Sequence, residues 1–187
     1  FPALTALAAT WNPEMSAAYG KAIGEEALYR EKDVMLGPGV NIYRTPLNGR
    51  NFEYMGEDPY LASVMVVPYI QEMQKNGVAA CVKHYAVNNQ ETWRNHIDVN
   101  VSDRALYEIY LPAFKAAIVE GGSWTIMGAY NKIAGQHACH NDRMLNQILK
   151  KDWGFDGVVV SDWGGTHDTK EAALNGLDVE MGSYTDG

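Results

Sequence analysis

The chain has 187 residues, 47% hydrophobic and 20% charged, with 18 glycines and a formal charge of −8. That composition suits one packed α/β core and excludes a disordered or fibrous chain. The acidic balance argues against nucleic acid, whose phosphates call for a Lys/Arg surplus, and no apolar run reaches membrane-spanning length, so neither is expected as a partner.

Residues 11–33 place Met15, Tyr19, Ala22, Ile23 and Ala27 mostly on one helical face. Asn12 before Pro13 is the expected N-cap and first-turn proline. Residues 34–36 predict a short strand, broken by Gly37-Pro38-Gly39, with the apolar residues 40–42 close behind as its continuation. Residues 43–57 form a loop too long for an ordinary connection, and such loops often carry function. Asp58-Pro59 opens a helix that Asn76-Gly77 stops. Residues 78–85 predict a strand ending in Lys83 and His84, followed by a polar loop and an extended stretch at 96–101. Ser102 caps a helix to Glu120. Residues 124–129 predict a strand ending at Tyr130-Asn131, and a glycine-containing loop leads to a helix at 141–153. The run Gly157-Val-Val-Val-Ser-Asp162-Trp163 predicts a buried strand with a carboxylate at its end. A helix at 166–175 and a strand at 177–181 complete the series. Cys81 reads as a small buried hydrophobe, and Cys139 lies in a polar loop, His137-Ala-Cys-His140. That loop lacks the spacing of a structural zinc site, so no metal and no cofactor is expected.

Short apolar strands alternating with helices predict a parallel sheet covered by helices. A doubly wound sheet would need a glycine-rich phosphate turn after its first strand, which residues 37–41 do not supply. The expected fold is α/β, an incomplete (β/α)8 TIM-like barrel, with residues 1–187 as a single partial catalytic domain. Five candidate strands are too few to close a barrel of eight. The start at Phe1 and the loop-like end read as a piece of a longer protein, in which targeting signals could lie upstream.

The polar residues gather at one end of every strand: Arg50, Lys83, His84, Asn131, Asp162, with Tyr130 and Trp163 as aromatic planes. In a barrel these ends share one mouth. Hydroxyl-rich rings suit such a set, with donors for the oxygens, aromatic faces for the C–H surface, and a carboxylate for the anomeric carbon. Each residue also has a plainer reading. Asp162 could cap a helix, Lys83 and His84 could be a surface cation and a satisfied core histidine, Arg50 could pair with Glu53 or Glu57, and the aromatics could pack at the rim.

Four segments in order, NIYRTPLNGRNFEYMGEDPYL (41–61), VKHYAVNNQE (82–91), MGAYNKIAG (127–135) and GVVVSDWG (157–164), resemble glycoside hydrolase family 3 and, within it, the β-glucosidases. The resemblance implies a retaining, exo-acting glycosidase that releases terminal glucose from β-linked glucosides or oligosaccharides. It implies Asp162 as nucleophile, with Arg50, Lys83, His84, Met127, Tyr130 and Trp163 around the sugar. It further implies a downstream second domain that supplies the acid/base, and a periplasmic or secreted setting. The family's upstream Asp-Gly-Pro motif is not in this chain, and KHYAVNNQE departs from the KHFPGHGD loop of the N-acetylglucosaminidase branch. A β-xylosidase of the same family, a non-catalytic sugar-binding barrel and a Schiff-base lyase using Lys83 are the alternatives.

Overall fold

The computed structural model describes residues 1–182. After a short helix α1 (Leu4–Ala8), α2 (Pro13–Tyr29) leads to strand β1 (Val34–Met35), and α3 (Pro59–Gln74) leads to β2 (Ala79–Tyr85). Strand β3 (Asp98–Val99) precedes α4 (Asp103–Ala105) and α5 (Pro112–Val119), which feed β4 (Thr125–Gly128). A hairpin of β5 (Lys132–Ile133) and β6 (Gln136–His137) follows, then β7 (Val158–Val160) and α6 (Thr169–Asn175). Strands β1, β2, β4 and β7 form one parallel sheet in that order. Consecutive strand–helix–strand units lying side by side are the construction of a (β/α)8 barrel, of which this sheet is half the strand count.

Local chemistry sets the helix starts. Asn12 Oδ1 accepts from the Glu14 and Met15 amides at 2.9 and 3.3 Å, and Asp58 Oδ1 accepts from Tyr60 and Leu61 at 2.8 and 3.2 Å. Helices α2 and α3 then pack with their backbones close together. A side chain at Gly20 would run into the Tyr69 backbone, and one at Gly24 into Met73, so glycine is what permits this approach. Ser16 adds a buried hydrogen bond across the pair, 2.6 Å to the Met65 carbonyl. The main core lies between the sheet and these helices and includes Met65, Ile70, Phe114, Ile126 and Leu145, all fully buried.

In its elements the backbone departs from the sequence reading at several places. Residues 40–42 form no strand, because after the single bridge from Gly39 to Lys83 the Asn41 side chain turns to the His84 backbone instead. The helix expected over 103–120 is broken into α4, a π-type turn at Leu106–Tyr110 and α5, with Pro112 opening the last piece. The loop after Tyr130 contains the β5–β6 hairpin, turned by Ala134 and Gly135 at φ 51° and 90°. Residues 177–181 make only a single bridge, Val179 to Val160.

Candidate active site

On the face of the sheet opposite the helices, Cys81, Met127 and Val160 form a small apolar layer with Leu36 and Met181. Strand alternation puts residues two positions apart on the same face. Lys83 and Asp162, each two residues beyond a member of that layer, therefore emerge just above it. Ser161, on the other side, uses its hydroxyl to accept from the Met181 amide at 2.8 Å, which anchors the segment after α6.

Asp162 is 7% exposed, and its two oxygens differ. Oδ1 accepts from the Trp163 backbone N–H at 2.8 Å. Oδ2 has no hydrogen-bond partner among the described residues and lies 3.5 Å from His84 Nε2. That imidazole cannot donate to it. Arg50 only donates, and its Nη2 lies 2.8 Å from His84 Nε2, so Nε2 is the acceptor and the proton sits on Nδ1, 3.1 Å from the Tyr54 hydroxyl. Burial, aided by the positive charges of Arg50, Lys83 and Arg94, holds the His84 pKa well below its ordinary value. Asp162 thus presents one fixed and one uncommitted oxygen beside a neutral histidine.

Arg50 is held by Glu53 through two contacts, Nε to Oε1 at 2.8 Å and Nη2 to Oε2 at 3.1 Å. Burial opposes its charge, but the hydrogen bond and charge of Glu53 more than offset this, and its pKa is raised. Lys83 Nζ stands 3.7 Å from the same Glu53 carboxylate. Lys83 and His84, although sequence neighbours, therefore converge on the Arg50–Glu53 pair. The backbone there is irregular: the β2–β4 register shifts between Val82 and Tyr85, and the Lys83–His84 peptide is cis. Tyr130 is buried beside Asp162. Burial, then the charge of the neighbouring carboxylate, push its pKa up to about 12, so the phenol keeps its proton. Trp163 stands half-exposed at the rim, while Met127 is enclosed in the apolar layer below.

The structure thus brings Arg50, Lys83, His84, Tyr130 and Asp162 together, with Trp163 above and Met127 beneath. It adds residues that the sequence reading left out. Glu53, expected at most as a surface partner of Arg50, is half-buried between Arg50 and Lys83. Tyr54 supports the imidazole, and Arg94, tied to Glu91 at 2.7 Å, places its guanidinium 4.4 Å from the Tyr130 ring centre. A cation in the loop after a strand that ends in Lys-His was a signal available for Arg94. Cys139, expected in a polar loop, is instead fully buried against Gly128 and Gly165.

Residues 1–181 match the model described as the glycosyl hydrolase family 3 N-terminal domain. The chain belongs to glycosyl hydrolase family 3. It is 74% identical over 187 residues to β-glucosidase BoGH3A of Bacteroides ovatus, and 48% identical over 188 residues to an exo-α-(1→6)-L-arabinopyranosidase of Bifidobacterium longum. Each match covers all of this chain but only 25% of the relative's own length. Among solved structures, β-glucosidase 3B of Thermotoga neapolitana in complex with glycerol aligns with a TM-score of 0.96 and 44% identity, over 98% of this chain and 26% of that one.

The histidines give this family 3 domain a defined acid sensitivity. His84 is held below its ordinary pKa by burial, and burial also brings His137 down to about 4. An unfolded histidine titrates near ~6.5. Below that pH the unfolded state binds protons that the folded state refuses, so stability is full above ~6.5 and falls as pH drops towards 4. The urea unfolding midpoint should therefore begin to fall between pH 6.5 and 5, above the range where ordinary carboxylates titrate. A midpoint unchanged down to pH 5 would contradict this reading of the buried imidazoles.

Proposed function

We propose that the protein carrying this chain is a retaining, exo-acting β-glucosidase that removes terminal β-D-glucose from glucosides or oligosaccharides. The carrying observation is Asp162: one oxygen is fixed by a backbone N–H, and the other is uncommitted at the centre of the gathered donors. In the reading we favour, Oδ2 attacks the anomeric carbon as the bond to the leaving oxygen breaks and that oxygen takes a proton from an acid. Water then cleaves the glycosyl–aspartate ester, with net retention. Arg50, Lys83 and His84 serve as hydroxyl ligands, Tyr130 braces the nucleophile, and Trp163 supplies an aromatic wall at the rim.

The acid is assigned to a second domain of the same polypeptide. The in-chain candidates are committed elsewhere: Glu91 is paired with Arg94, and Asp168 caps α6 through the Glu171 amide at 2.8 Å. General acid catalysis contributes roughly 10²–10⁴-fold. The 187-residue chain alone should accordingly show little or no hydrolysis of 4-nitrophenyl β-glucoside beside the full-length protein. Equal activity of the two would place the acid within this chain.

The test of the function is a substrate panel on the full-length protein with the product anomer followed by proton NMR. The reading predicts β-glucose as first product and a preference for the β-glucoside over the β-xyloside and the α-L-arabinopyranoside. The last of these belongs in the panel because of the Bifidobacterium relative. First release of the α-anomer would overturn retention.

A further inference from the structure

Three side chains of one segment, His137, Cys139 and His140, together with His167 and the glycines that face them, tie the β5–β6 hairpin to the loop after Asp162 and to α6. The His137 and His167 rings are stacked, with centroids 3.7 Å apart and planes inclined by 21°. The His137 Nδ1 proton goes to the Tyr130 carbonyl at 3.1 Å, which fixes that ring from the Tyr130 side. Cys139 Sγ fills the space left by Gly165, where an added Cβ would lie 3.0 Å from the sulfur. His140 Nδ1 stands 3.0 Å from Glu171 Oε2, and its carbonyl accepts from Asn175 Nδ2 at 2.8 Å, so α6 is held as well. Between these anchors the chain makes a tight turn, Gly165 N–H to the Asp162 carbonyl at 2.9 Å, with Gly164 at φ 70°.

We infer that His137 and His167 are positioning residues, a stacked pair that sets the loop carrying Asp162 and Trp163 relative to Tyr130; this rests on the reading of Asp162 as nucleophile. One ring belongs to the hairpin that begins at Tyr130, and the other belongs to the loop that begins at Asp162, so the stack fixes the distance between the two groups. Three of the four anchors are buried and would be costly to alter, but His167 is exposed. It can be truncated without opening the core. Among the described residues, the contacts of the two imidazoles run to each other, to His140 and to the Tyr130 carbonyl, and none to Arg50, Lys83 or His84. The pair is stable as a neutral stack. Burial lowers both pKa values, helped for His137 by His167, His140 and Lys132, and for His167 by His140, His96 and Lys132. The Tyr130 carbonyl favours the charged form of His137, though too weakly to reverse the shift.

The test uses the full-length protein with His167→Ala and His167→Phe. The readouts are kcat and KM on 4-nitrophenyl β-glucoside, and the rate at which a 2-fluoroglucoside labels the protein, with the labelled peptide mapped. Misplacing a reacting group by a fraction of an ångström affects the transition state more than ground-state binding, and losses up to ~10²-fold are common. His167→Ala should lower kcat and the labelling rate roughly tenfold, with KM little changed. His167→Phe keeps a stacking plane but no ring nitrogen, and should stay within about twofold of the parent. Label on Asp162 at the parental rate in His167→Ala would overturn the stack's role alone. Equal impairment of both variants would overturn it too, since the ring plane would then not be what matters. Label on another carboxylate in the parent would overturn the nucleophile and the positioning inference together.

Discussion

Asp162→Asn should reduce turnover by at least ~10³-fold with the fold intact. The substitution keeps the shape, and the amide oxygen can still accept from the Trp163 N–H as Oδ1 does now. What disappears is the anion on Oδ2, the atom with no other engagement among the described residues. An amide is a poor nucleophile and offers no negative charge to an oxocarbenium-like transition state. Folding should be insensitive, because the one ion-pair contact of this carboxylate among the described residues is to His84, which is neutral and already satisfied by Arg50 and Tyr54. Circular dichroism and kcat on 4-nitrophenyl β-glucoside check both halves of the expectation. A variant that is folded and retains a tenth of parental turnover would contradict the role given to Asp162.

Arg50→Lys should cost kcat/KM roughly 10²-fold although the charge is kept. The guanidinium uses its planar fork three ways: twice to Glu53 and once to His84 Nε2. A lysine ammonium at the end of a different stem cannot reproduce that geometry. His84, 1% exposed, would then carry an acceptor nitrogen without a donor, and Glu53 would be left to Lys83 alone. Leaving a buried polar group unsatisfied costs about 1–3 kcal/mol, and the released imidazole could turn towards Asp162. Steady-state kinetics with a matched Arg50→Lys and Glu53→Gln pair separate the terms. If the two share one network, the double variant should be far less impaired than the product of the single losses.

Much of the frame was readable from local signals. Asn12-Pro13 and Asp58-Pro59 start helices because a side-chain oxygen and a missing N–H both suit a helix N-terminus, and the structure uses them so. Val159 and Val160, in the run before Asp162, are buried on the sheet because β-branched residues fit a pleated interior, while Val158 at the start of the strand is exposed. The polar groups at the strand ends were legible as a set because a parallel sheet sends all those ends to one side. Features that depend on contacts far along the chain were not. Strand alternation alone sends Lys83 and His84 to opposite faces, so it was the family resemblance, which sets both beside the sugar, that called for the irregular backbone found there. Cys139 sits in a run that reads as polar loop, and its burial follows from Gly128 and Gly165, eleven residues before and twenty-six after. The hairpin at 132–137 was missed because its turn puts a non-glycine residue, Ala134, at positive φ, where only Gly135 gave a signal. Carrying one helix through Pro112 neglected the amide that proline lacks.

The central claim is that Asp162 forms the covalent bond to the sugar. A 2-fluoro-β-glucoside with a good leaving group slows breakdown of the glycosyl–enzyme more than its formation, so the ester accumulates and can be digested and mapped by mass spectrometry. The account predicts a single added 2-fluoroglucosyl group on the peptide containing Val158-Val-Val-Ser-Asp162-Trp163, located on Asp162. Stoichiometric label on a different carboxylate would contradict it.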